Sequence, residues 1–181
     1  MKKIILSAIV AVCAISANAQ IWAGGSLGFN VEDHKRWAET QTDFTIAPEI
    51  GYSLNEKWDV AAALKFGIRN NEDGIKDNNT TTFEIQPYAR YTFAEAGIAK
   101  FFVDGYVGFG SEKPKGHDAA TTFKIGVRPG VKVALSDDIC LVSTLGNLGY
   151  KSTKDIPLVG DVNEFGFNLD NTINFGIYFN F

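Results

Sequence analysis

The sequence predicts an all-β chain, an eight-stranded antiparallel up-and-down transmembrane β-barrel preceded by a cleaved signal peptide. Three observations predict it. Apolar residues recur with a period of two in segment after segment, the connections between these segments alternate between long and short, and aromatic residues gather near the segment ends.

The amino terminus reads as an export signal. Lys2 and Lys3 precede an apolar run from Ile4 to Ile15, and Ala17-Asn18-Ala19 places small residues at both recognition positions. Cleavage there leaves Gln20 first, dividing the chain into a signal peptide (1–19) and a barrel domain (20–181). The apolar run is too short for a spanning helix, which needs roughly 20 residues. Cys13 follows Val12 rather than a small residue, so lipoprotein processing is not expected. The remaining 162 residues suffice for one domain and carry a net charge of −6, with none of the basic excess of a nucleic-acid-binding face. Cys140 is then the single cysteine, so no intramolecular disulfide can form.

The strands follow in order. Residues 21–30 point Ile21, Ala23, Gly25, Leu27 and Phe29 to one face. Residues 42–54 do the same with Phe44, Ile46, Pro48, Ile50, Tyr52 and Leu54, whereas a helix would scatter Asp43 and Glu49 among them. The segment 58–69 aligns Trp58, Val60, Ala62, Leu64, Phe66 and Ile68, and 82–93 aligns Phe83, Ile85, Pro87, Ala89, Tyr91 and Phe93. In 101–110 the apolar face is Phe101, Val103, Gly105, Val107 and Phe109; in 122–135 it runs from Phe123 through Ile125, Val127, Pro129, Val131 and Val133 to Leu135. The seventh segment, 139–150, is apolar on both faces, which predicts a bulge. The eighth, 164–181, alternates from Phe165 to Phe181.

Outside the seventh segment, the apolar face carries no charge. The opposite face carries Glu49, Asp59, Lys65, Arg69, Glu84, Arg90, Asp104, Lys124, Arg128, Lys132, Glu164 and Asp170. Alternation alone leaves open which face is outside, because soluble sheets alternate too. The connections decide it. Those at 32–41, 70–81, 111–121 and 151–163 are long and polar, those at 55–57 and 136–138 are tight, and 94–100 is intermediate. Such asymmetry is characteristic of outer-membrane barrels. Aromatics at both ends of the apolar face, with Ile, Val, Leu, Ala and Gly between, mark two water–lipid boundaries.

The chain ends on NFGIYFNF, with Phe181, Phe179, Ile177, Phe175 and Ile173 at every second position. In this the sequence resembles the small eight-stranded outer-membrane barrels of the OmpA/OmpX kind and the porin-family proteins grouped with them. The resemblance implies that Phe181 and Phe179 form the signal read by the barrel-assembly machinery. It implies no activity.

An apolar-x-Pro-x-apolar repeat places Pro48, Pro87 and Pro129 at spacings of 39 and 42 residues. Proline cannot donate to a ladder, so a missing bond or a bulge is expected at each.

An eight-stranded barrel has room for little beyond its own side chains. The inward charges therefore read as an ion-pair network filling the lumen, with Glu49, Lys65, Arg90, Asp104 and Arg128 nearest the middle. Arg90 and Arg128 are expected to neutralise Glu49 and Asp104. The function expected is that of a structural or surface-interaction protein of the Gram-negative cell outer membrane, with both termini periplasmic. Its partners would be outer-membrane lipid, the assembly machinery during biogenesis and an extracellular ligand engaged through the loops. One alternative is a narrow porin-like channel, in which the same charges line a conducting path. The other is a lipid-modifying enzyme using His34 or His117 with Ser111 or Asp118, although no adjacent serine motif supports it. No metal-ligand or phosphate-loop spacing is present, and no cofactor is expected. Lys35, Arg36 and Trp37 in the first loop, with Ile156, Pro157, Leu158 and Val159 in the fourth, give the loops apolar and basic contact residues.

Overall fold

Period-two alternation gives each strand one apolar and one polar face, and pairing on both edges satisfies every backbone group that lipid could not. A computed structural model describes residues 20–34, 39–73, 76–156, 160–168 and 174–181, which form one antiparallel sheet. Its strands are β1 (Gln20–His34), β2 (Glu39–Ser53), β3 (Trp58–Asp73), β4 (Lys76–Ala96) and β5 (Ala99–Pro114). They continue with β6 (Ala120–Ala134), β7 (Ile139–Thr144), β8 (Asn147–Ile156), β9 (Gly160–Asn168) and β10 (Asn174–Asn180). β5 pairs with β6 and β10 with β1, so the sheet closes on itself. β7 and β8 pair with successive stretches of β6 and make one barrel strand; β9 and β10 make the last. The result is the closed eight-stranded antiparallel barrel that the alternation predicts.

The faces sort inside out. Phe29 is 70% exposed and Phe165 78%, whereas Asp104 is 0% and Arg90 1%. Outward aromatics meet across the ladder near both ends: Phe66 with Phe83 and Phe109 with Phe123 toward the long connections, Trp58 with Tyr91 toward the tight turns. At the tight end, Asn55 Oδ1 accepts hydrogen bonds from the Lys57 and Trp58 amides at 2.9 and 3.0 Å, closing the β2–β3 turn.

The long connections differ from expectation. Most of their residues continue the ladders as paired hairpins: β1 and β2 pair up to His34 opposite Glu39, and β3 and β4 up to Asp73 opposite Lys76. Polar residues on both faces hid these extensions, because backbone pairing in water needs no apolar alternation. Of the last predicted strand, 164–181, residues 169–173 lie outside the described residues, and β9 and β10 cover it on either side. The proposed signal segment 1–19 lies outside the described residues, as do Lys35, Arg36, Trp37, Pro157, Leu158, Val159 and Asp170.

The seventh strand contains its bulge. Leu145 and Gly146 separate β7 from β8, and three residues, Leu145 to Asn147, oppose Arg128 and Pro129 on β6. Gly146 adopts φ +59°, a conformation that suits glycine, and the Leu145 amide donates to the Pro129 carbonyl at 3.0 Å. The inserted residue moves the inward phase from Cys140 and Val142 to Asn147, Gly149 and Lys151, which explains the two apolar faces. At the other prolines the register holds and the ladder skips a step: Ala47 and Pro48 are unpaired with β3, and Gln86 and Pro87 with β5.

Candidate functional site

The polar faces of all eight barrel strands meet in the lumen. Asp104 on β5 lies directly opposite Arg90 on β4 and Arg128 on β6, so one carboxylate serves two guanidiniums. Arg90 donates from Nε at 2.7 Å and from its second terminal nitrogen at 3.0 Å; Arg128 Nε donates at 3.1 Å. Arg128 also donates to the Gln86 amide oxygen at 2.8 Å. The Arg90 guanidinium lies 3.7 Å from the centroid of the Phe102 ring, whose face receives the cation.

Glu49 departs from the expected pairing. It accepts hydrogen bonds from Tyr88 Oη at 2.5 Å and Tyr178 Oη at 2.8 Å, and among the described residues it forms no salt bridge. Lys65 instead approaches Glu84 at 3.7 Å, a carboxylate also bound by Lys124 Nζ at 2.5 Å and by Gln86 Nε2 at 3.0 Å. The two groups are joined by Gln86, which donates to Glu84 and accepts from Arg128. Of the five central residues named from the sequence, Arg90, Asp104 and Arg128 form one cluster, Lys65 belongs to the Glu84 cluster, and Glu49 is held by tyrosines.

Large inward aromatics share this space. Trp22 stacks on Tyr178 with centroids 4.5 Å apart, and Tyr88, Phe102 and Tyr106 are buried beside them. Four of these aromatics stand directly across the ladder from a glycine: Trp22 from Gly51, Tyr178 from Gly24, Phe102 from Gly130 and Tyr106 from Gly126. Inward glycine opposite inward aromatic is the sequence signal that would have found them.

Two open hollows flank this layer. One, of about 460 Å³, lies toward the long hairpins and is lined by Glu49, Lys65, Glu84, Lys124, Arg128 and Lys151 among others. The second, of about 1010 Å³, lies at the tight-turn end among Asn55, Lys57, Asp59, Lys100, Lys132 and Cys140. Trp22, Gln86, Tyr88, Arg90, Phe102 and Asp104 border neither hollow and sit between them on their strands.

The loop residues considered for chemistry are separate. His117 and Asp118 are exposed and border a surface hollow with Lys113, Gly116 and Asp155; Ser111 does not border it. The His34 side chain lies outside the described residues. Among the described residues no group of three or more His, Cys, Asp or Glu is placed to hold a metal.

A family model described as outer membrane protein beta-barrel domain matches residues 4–181. Among solved structures, Neisserial surface protein A is similar at a TM-score of 0.53 and 16% identity, over 90% of this chain and 97% of that one. Yersinia pestis Ail in a bilayer nanodisc matches at a TM-score of 0.49 and 13% identity, over 91% of this chain and 100% of that one. The barrel domain of Pseudomonas aeruginosa OprF matches at 0.43 and 15%, over 89% and 97%. No curated protein matches the sequence.

Proposed function

Because this chain belongs to the outer membrane protein beta-barrel domain family, we propose that it is a structural or surface-interaction barrel of the Gram-negative outer membrane whose lumen is plugged by its own side chains. The observation that supports the plug is the buried layer around Arg90, Asp104 and Phe102, whose residues line neither hollow. Charge-assisted bonds that are both buried and bidentate are held in place, because opening them leaves desolvated charge unpaired.

The surface role is supported by the hairpins. They extend the ladders well past the aromatic pairs Phe66–Phe83 and Phe109–Phe123 with Asn, Thr, Asp and Lys, offering a paired polar platform to an extracellular ligand. Outer-membrane lipid covers the apolar outer face. Removal of residues 1–19 would leave Gln20 beside the carboxyl end, where the Phe181 amide donates to the Ile21 carbonyl at 2.9 Å. Both termini then lie at the tight-turn end, which supports a periplasmic placement for each. Phe179 and Phe181 are exposed there, which supports reading them as the signal for the assembly machinery.

The test is conductance. Purified protein in a planar bilayer should give no steady current above the bare membrane. Steady, ion-selective current through the wild type would replace the plug with a narrow water path and make the protein a channel.

A further inference from the structure

The hollow toward the long hairpins has an imbalance at its floor. Lys65 and Lys124 share the single carboxylate of Glu84, and Arg90 and Arg128 share that of Asp104. Glu49 is the third acid of the cluster, so four cations face three carboxylates. The remaining neighbours do not correct this. At the rim, Arg69 is paired with Asp43 and Lys151 with Glu112, while Asp59 and Lys132 beyond the buried layer bring one charge of each sign.

The excess is exposed to the hollow rather than sealed away. The Glu84 side chain is 3% exposed, whereas those of Lys65 and Lys124 are each 27% exposed and both line the 460 Å³ space. An ammonium has three donors; Lys124 uses one on Glu84 at 2.5 Å, whereas Lys65 approaches that carboxylate only at the ion-pair distance of 3.7 Å. Both side chains keep part of their surface open to the hollow. Like charges held close on low-dielectric walls repel, and an anion placed between them relieves that repulsion while filling their free donors. The volume also lies within the range of small-molecule sites, about 300–1,000 Å³.

We propose that this hollow is a binding site for a small oxyanion, a phosphate or carboxylate group on a solute entering from the long-hairpin end, with Lys65 and Lys124 as its donors and Arg128 as the cation beneath. The site stands whether or not the lumen conducts. Inorganic phosphate is the probe: full-length mature protein in nonionic detergent is titrated calorimetrically at constant ionic strength. One saturable site is expected. Lys65→Gln and Lys124→Gln should each weaken it about tenfold, the loss of one charge-assisted hydrogen bond. Glu84→Gln should tighten it by removing the competing negative charge, and Lys100→Gln, in the opposite hollow, should leave it unchanged. Heat that follows ionic strength without saturating, or binding by either lysine variant as tight as that of the wild type, overturns the proposal. If those variants fail to fold, lysine-labelled wild-type protein decides: phosphate must shift the Lys65 and Lys124 ammonium resonances, and their constancy is an equal refutation.

Discussion

The Trp22 indole lies over Gly51, its direct partner across the β1–β2 ladder, so closely that a Cβ at position 51 would come within 2.1 Å of the ring. The same relation recurs between Tyr178 and Gly24, at 2.2 Å, and between Phe102 and Gly130, at 2.3 Å. Each glycine leaves a vacancy on the inner wall that the neighbouring ring fills, the small-against-large packing by which a narrow barrel closes its interior. Gly51→Val should therefore push the indole off its seat on Tyr178 and cost about 1–3 kcal/mol. Urea unfolding in lipid vesicles measures the loss, and near-ultraviolet circular dichroism reports the Trp22 stack. Gly105→Val is the control, since nothing lies within 4 Å of a Cβ there. An unchanged unfolding midpoint for Gly51→Val would refute this packing account.

Leu64 and Lys65 test the phase of the barrel. Leu64 is 40% exposed on the outer face, and Lys65 points inward to Glu84. Leu64→Arg places a cation against the apolar band and should cost on the order of 2–4 kcal/mol in lipid. Lys65→Leu should act through the Glu84 cluster, where Lys124 remains as a partner, and cost less. If Leu64→Arg folds in vesicles as well as the wild type, position 64 is not a lipid-facing one.

The closed barrel, the face of each clear strand and the bulge in the seventh were legible because a period of two survives wherever one face meets lipid and the other does not. Pro129 even marked where the bulge sits. What was not legible has two physical sources. Hairpins standing in water lose the alternation, so Asn70 and Asn71 read as loop although they continue β3 opposite Asn79 and Asn78. Partner choice in the lumen depends on shear and on aromatic bulk: Tyr88 and Tyr178 take Glu49 away from the arginines, and counting along single strands could not show it.

Topology makes a separate prediction. An epitope inserted between Gly116 and His117, at the β5–β6 connection, should be labelled by antibody on intact cells. The same epitope at Glu56, in the β2–β3 turn, should be labelled only after the outer membrane is opened. Labelling of Glu56 insertions on intact cells would reverse the orientation proposed for both termini.

The two buried acids should respond differently to loss of charge. Asp104 holds Arg90 and Arg128, and its removal leaves two cations with no carboxylate in a layer where Arg90 is 1% exposed. Breaking a buried pair from one side costs roughly 3–5 kcal/mol, so Asp104→Ala should unfold at clearly lower urea than the wild type. Asp104→Asn keeps the shape and one acceptor and should recover part of the loss. Glu49 is bonded to two neutral hydroxyls, and Gln supplies an acceptor of the same reach, so Glu49→Gln should cost no more than about 1–2 kcal/mol. The order of stabilities, wild type, then Glu49→Gln, then Asp104→Ala, follows from which partners carry charge. A water-filled lumen would level it, because solvated arginines need no carboxylate, and equal unfolding midpoints together with steady current through the wild type would show that the layer around Asp104 is wet.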